Sequence, residues 1–137
     1  MHVRSSLFAL LVAVAACGAP VDSGSALQVP PDSAPPDVVL QAYLRALLAG
    51  DCATVSQLAA ATFHKGNGEL CGSVRVSAAR IDGPPATPTA TEVVFGTTIT
   101  TNGSPDGSIQ PGETIWFYDL IRQPSGAWRI AGGGTGP

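Results

Sequence analysis

Residues 113–133 read ETIWFYDLIRQPSGAWRIAGG, and this stretch decides the fold. Its first part, residues 113–122, is apolar at both parities, with Ile115, Phe117 and Ile121 on one side and Trp116, Tyr118 and Leu120 on the other. Aromatic and β-branched side chains at that density suit a strand better than a helix. Apolarity at both parities predicts a central strand covered on each face. Gln123-Pro124-Ser125-Gly126 supplies turn chemistry, so residues 127–131 should return antiparallel with Trp128 and Ile130 against the first strand, and residues 132–137 should fray. The second half of the chain is thereby committed to an antiparallel sheet.

Working back from that hairpin, residues 91–101 place Val93, Phe95, Thr97 and Ile99 on one face of a second strand. The connection, residues 102–112, is rich in glycine and proline and reads as a long hairpin loop. It also matches parts of a calcium loop, with oxygen side chains on Asn102, Ser104 and Asp106, then Gly107, Ile109 and Glu113 at the later positions. Asn at the first position, two acidic residues in all and flanking strands instead of helices argue for the plain loop, so no metal site is expected. Further upstream Val74, Val76 and Ala78 alternate before Ile81 falls on the opposite parity, which predicts a bulge near Ala78-Ala79.

Before residue 70 the period changes from two to that of a helix. Residues 37–49, DVVLQAYLRALLA, set Leu40, Tyr43, Leu44, Leu47 and Leu48 on one helical face. Pro35 and Pro36 fit a first turn, where Ser33 or Asp37 offers a capping oxygen. Gly50 provides a left-handed stop, and Asp51 caps a second helix expected over residues 52–65, with Val55, Leu58, Ala59 and Thr62 inward and His64 as a favourable charge near its carbonyl end. The expected fold class is α+β, two N-terminal helices packed on a curved antiparallel sheet of about four strands.

In front of the helices, residues 18–36 carry proline and serine without an apolar period, and read as a tether. Residues 7–17, LFALLVAVAAC, follow a weakly basic start at His2 and Arg4. This apolar run is well short of the roughly 20 residues that span a bilayer as a helix. It suits a leader that is threaded and cut. Val14-Ala15-Ala16-Cys17 resembles the lipobox of bacterial lipoproteins, with Val14 at its aliphatic position. That resemblance implies a signal peptide over residues 1–16, a diacylglycerol on the Cys17 thiol, a tether over residues 17–36, a domain over residues 37–133, and a disordered tail over residues 134–137. The protein would then be extracytoplasmic and held to the cell membrane by an N-terminal lipid. An ordinary secretory cut near residues 13–15, leaving Cys17 as a plain thiol, is the competing possibility.

The chain has three cysteines. With Cys17 consumed by lipid, Cys52 and Cys71 remain, and in an oxidising compartment a pair of thiols on a small domain is usually bridged. A redox pair or a metal site would compete, but the spacing is not CxxC and the histidines are His2 and His64 alone. Ten acidic side chains against seven basic ones, at a formal net charge of −3, leave no basic patch for nucleic acid.

The phrase AYLRALLAGD with its Gly50-Asp51 corner, and the closing Gly126-Ala127-Trp128-Arg129-Ile130 strand, resemble the NTF2-like fold, cystatin-like in architecture, found in many small secreted bacterial lipoproteins. The resemblance covers residue 37 to about residue 133 and implies a helix in the hollow of a cone-shaped sheet. That superfamily includes isomerases, hydrolases and cyclases beside domains without chemistry, so it does not fix an activity. No Gly-x-Ser-x-Gly, P-loop or HExxH pattern occurs, and no cofactor is implied.

Enzymes of that fold hold an acid or a tyrosine inside the cone, which makes Tyr43, Tyr118 and Asp119 the catalytic candidates. Asp119 would be buried if Ile115, Phe117 and Ile121 faced inward. The preferred alternative turns Trp116, Tyr118 and Leu120 inward and leaves Asp119 solvated or paired with Arg122 or Arg129. The expected function is a non-enzymatic binding or accessory module for an envelope protein or a small apolar ligand. A ketosteroid-isomerase-like enzyme, with a pocket lined by Leu44, Phe95 and Phe117, is the alternative. Self-association through the two-faced strand 113–122, as a homodimer, is a third option.

Overall fold

The computed structural model describes residues 27–136; the expected leader, Cys17, the first part of the expected tether and the last residue of the expected tail lie outside the described residues. The architecture is α+β, with helices α1 (Pro36–Ala49) and α2 (Cys52–Leu58), a 3-10 turn η1 (Lys65–Asn67), and strands β1 (Val76–Ile81), β2 (Glu92–Thr101), β3 (Gly112–Arg122) and β4 (Trp128–Gly134). The four strands form an antiparallel sheet in the order β1-β2-β3-β4, each hydrogen-bonded to its sequence neighbour.

Helix α1 begins after Pro35 with a proline in its first turn and no side-chain cap, so neither Ser33 nor Asp37 takes the expected capping role. It ends where Gly50 adopts a left-handed φ of 68° and returns its N–H to Leu47. Asp51 then caps α2, its carboxylate accepting from the Thr54 N–H and hydroxyl. These bonds hold the Asp51 carboxyl below its ordinary pKa. Val39, Leu40, Ala42, Tyr43, Leu44, Ala46 and Leu47 are buried, whereas Leu48 sits at 40% exposure on the rim of the face it was expected to join.

Helix α2 is half the expected length. It stops at Leu58, and the Ala60 N–H donates to Ile130 O at 2.7 Å in a parallel bridge along β4. A sheet edge offers unpaired carbonyls, and satisfying them outweighs one more turn of a short helix. His64 consequently lies outside α2 and caps η1: its Nδ1 accepts from Gly66 N at 3.0 Å, and its own N–H donates to Asn67 Oδ1 at 2.7 Å. It is not the dipole charge anticipated.

Strand β3 is central in order, and its two faces are buried unequally. Trp116, Tyr118 and Leu120 are buried, Phe117, Asp119 and Ile121 are half-buried, and Ile115 is 58% exposed. Both helices contribute to one core on the Trp116 side. The β1 bulge falls at Ser77, one residue before the place expected, since Val76 pairs with Thr101 and Ala78 with Thr100. Strand β4 continues through Gly134 instead of fraying from Gly132, its glycines pairing with Phe117, Tyr118 and Asp119. Residues 27–35 are less free than a tether: Leu27 packs on the core, Ala34 is buried, and Asp32 pairs with Arg129 at 3.3 Å. An exposed pair of that kind stabilises by at most about 1 kcal/mol.

Candidate functional site

Three features were singled out from the sequence, and the fold separates them. Cys52 and Cys71 form a disulfide, with Cα atoms 5.6 Å apart, which ties the start of α2 to the turn before β1. Tyr43 and Tyr118 meet in the core, and Asp119 stands on the opposite side of the sheet with Val94 and Phe117. The inward parity is therefore that of Trp116, Tyr118 and Leu120. Arg129 is taken by Asp32, and the Arg122 guanidinium donates to Gly126 O, so neither is paired with Asp119. The pocket of Leu44, Phe95 and Phe117 does not form: Phe95 lies opposite Tyr118 on the inner face, while Phe117 lies opposite Gly96 on the outer one.

The interior is packed. Tyr43, Tyr118, Leu40, Ile99, Leu120 and Ile130 have no accessible surface, and the Tyr43 ring meets Tyr118 edge-on at 5.2 Å and Phe63 at 6.1 Å. The indole N–H of Trp116 has no hydrogen-bond partner, and the hydroxyls of Tyr43 and Tyr118 have none beyond their weak approach to one another. Burial pushes both phenols far above their ordinary pKa, and the Glu69 carboxylate adds to the rise. At Tyr43 the neighbouring Tyr118 contributes as well; at Tyr118 the Tyr43 hydroxyl works the other way. A phenol so held is a neutral donor, unsuited to act as a base near neutral pH.

Two glycines shape what lies above these rings. Gly68, at φ +105°, presses directly on the Gly133 carbonyl, and a Cβ on Gly133 would stand 2.8 Å from Trp116 Nε1 and 3.4 Å from the Tyr118 ring. The backbone of the η1 turn thus crosses β4 at van der Waals contact. Asn67 fastens the crossing, its Nδ2 donating to Thr62 O and Ala131 O. Between this crossing and the β2–β3 loop runs a groove of about 540 Å³, with Trp116, Leu70, Val74 and Ile109 in its floor and Lys65, Glu69, Ser104 and Asp106 among its walls.

The loop wall is internally bonded. Asp106 Oδ1 accepts from the Ser104 hydroxyl and from the Ser108 N–H and hydroxyl, which draws its pKa down to about 2. This network ties the hairpin loop together through its own side chains, and no group of three or more His, Cys, Asp or Glu side chains that could hold a metal ion occurs among the described residues. Trp116 and Glu69 were not marked as site residues by the sequence, and Asp106 was marked only within the calcium-loop match that was set aside. The available signal was the glycine run 132–134, since glycine within a strand marks close backbone approach.

Compared with known proteins, the chain matches no family model, no curated protein and no solved structure. No helix among the described residues is long and apolar enough to cross a membrane.

Proposed function

We propose that the chain is a lipid-anchored, extracytoplasmic binding or accessory module with an NTF2-like domain. The observation that carries this is the Cys52–Cys71 bond, which accounts for two of the three cysteines and leaves Cys17, at the end of the leader-like run, as the remaining one. A disulfide also suits an oxidising compartment. The approach of α1 to both edge strands, β1 and β4, supports a sheet wrapped around that helix. With residues 27–35 laid against the domain, the spacer shortens to residues 18–26, which reach at most about 30 Å.

A module without chemistry is favoured over a ketosteroid-isomerase-like enzyme because the interior is filled by its own side chains and the candidate acid, Asp119, stands on the outer face. The test is membrane fractionation in a bacterial host. Wild-type chain should partition with membranes, and Cys17→Ser should appear in the soluble extracytoplasmic fraction or retain its leader. Equal membrane partition of both at the processed size would remove the proposal.

A further inference from the structure

We propose that the Cys52–Cys71 bond is a redox switch, opened in the folded protein by a reductant of the dithiol class that attacks Cys52 from the cleft between the end of α1 and the start of β1. This goes beyond the binding-module reading, and it stands on the surroundings of the bond whether or not Cys17 carries lipid.

That cleft, of about 430 Å³, has both cysteines in its wall, together with Leu48, Gly72 and Arg75. The two sulfurs are not equivalent, since Cys71 is buried at 7% exposure and Cys52 is half-buried. A side-chain carbon placed on Gly72 would meet Cys52 Sγ at 3.8 Å and, its chain neighbours aside, no other atom within 4 Å. Space beside that sulfur is therefore open, and a glycine with φ +78° keeps it so. Exchange depends on access to the sulfur attacked and on the thiolate character of the attacker. The Arg75 guanidinium, which has no hydrogen-bond or ion-pair partner among the described residues, draws a thiolate into the cleft. The acids nearest the bond, Asp51 and Glu69, are engaged by the N–H groups of Thr54 and Cys71.

One thiolate of the reductant bonds to Cys52 Sγ, the Cys52–Cys71 bond breaks, and its electron pair leaves on Cys71 as a thiolate. The second thiolate of the reductant then attacks the sulfur now bound to Cys52 and releases Cys52 as a thiolate. The reductant departs as an internal disulfide, two electrons pass to the protein, and the two protons of the dithiol end on the two cysteines. Helix α2 and η1 both lie between these cysteines, so reduction turns a closed loop into an open one. Leu58, Phe63 and Leu70 still anchor that loop in the core, so the domain stays folded while the η1 wall of the groove loosens.

The experiment treats the full chain in detergent micelles with dithiothreitol, quenches with iodoacetamide, and scores Cys52 and Cys71 by peptide mass spectrometry. Both should be labelled without denaturant, at a rate proportional to dithiothreitol concentration and unchanged by about 1 M urea. A bond reached only through global unfolding would open about tenfold faster in that urea. That result, or no labelling without denaturant, would overturn the proposal. A brief pulse of glutathione, a monothiol, should leave its adduct on Cys52, and an adduct on Cys71 would contradict the attack. Arg75→Gln should slow reduction about threefold at low salt, whereas an equal rate would rule out attack from this cleft. Hydrogen exchange in the reduced chain should quicken over residues 59–70 and stay slow in β2 and β3. Exchange unchanged throughout, or quickened everywhere, would overturn the switch.

Discussion

At the scale of single residues, the two tyrosines are the most informative groups. Tyr43 and Tyr118 are the only tyrosines in the chain, and both are buried with pKa values raised above the ordinary value of about 10. Below that value both are neutral whether the chain is folded or not, and they add no pH dependence. Above it the unfolded chain loses protons that the folded one keeps, so stability falls as pH rises. Each tyrosine removes roughly 1.4 kcal/mol per pH unit in that range. Absorbance at 295 nm should accordingly stay flat through pH 11 and then rise in one step, together with loss of the near-ultraviolet circular dichroism. Gradual titration near pH 10 with the fold intact would mean that the phenols are reached by water. The sequence marked both residues and favoured the parity that turns Trp116, Tyr118 and Leu120 inward, although the other parity of β3 is nearly as apolar. The helices settle that choice by covering one side, and Asp119 falls on the other.

At the scale of elements, periodicity carried most of the fold. The α1 span, the Gly50-Asp51 corner, the inward face of β2 and the antiparallel hairpin of β3 and β4 were all legible because each depends on local spacing. The α2 end and the β4 end were not. Residues 59–60 leave the helix to bond β4, and residues 132–134 stay in the sheet because η1 packs over them. Both outcomes depend on contacts between distant parts of the chain. The glycine crossing gives a direct measure. Gly50→Ala meets open space at φ +68° and should cost about 1 kcal/mol, the ordinary penalty for a left-handed alanine. Gly68→Ala must also displace the Gly133 carbonyl and should cost at least about 2 kcal/mol more in urea unfolding. Equal costs would mean that η1 does not press on β4.

At the scale of the whole molecule, the core under one face of the sheet is braced by one covalent bond. The disulfide closes a loop at a sequence separation of 19, which in the chain-entropy model stabilises by roughly 3 kcal/mol. Cys52→Ala combined with Cys71→Ala should lower unfolding free energy by about that amount, and the groove floor, built from residues 70–74 beside Cys71, should loosen with it. A change below about 1 kcal/mol would place the brace elsewhere. The groove itself was illegible in the sequence, because its parts come from η1, the β2–β3 loop, β3 and the end of β4 and share no local pattern. The proposed address, by contrast, rests on one contiguous stretch, residues 7–17. Intact-mass and peptide mass spectrometry of chain purified from a native membrane fraction tests it most directly. The account predicts a mature chain beginning at Cys17, with a diacylglyceryl thioether on that sulfur and Cys52 bridged to Cys71. An unmodified Cys17 inside an uncut chain, with all three thiols free, would contradict it.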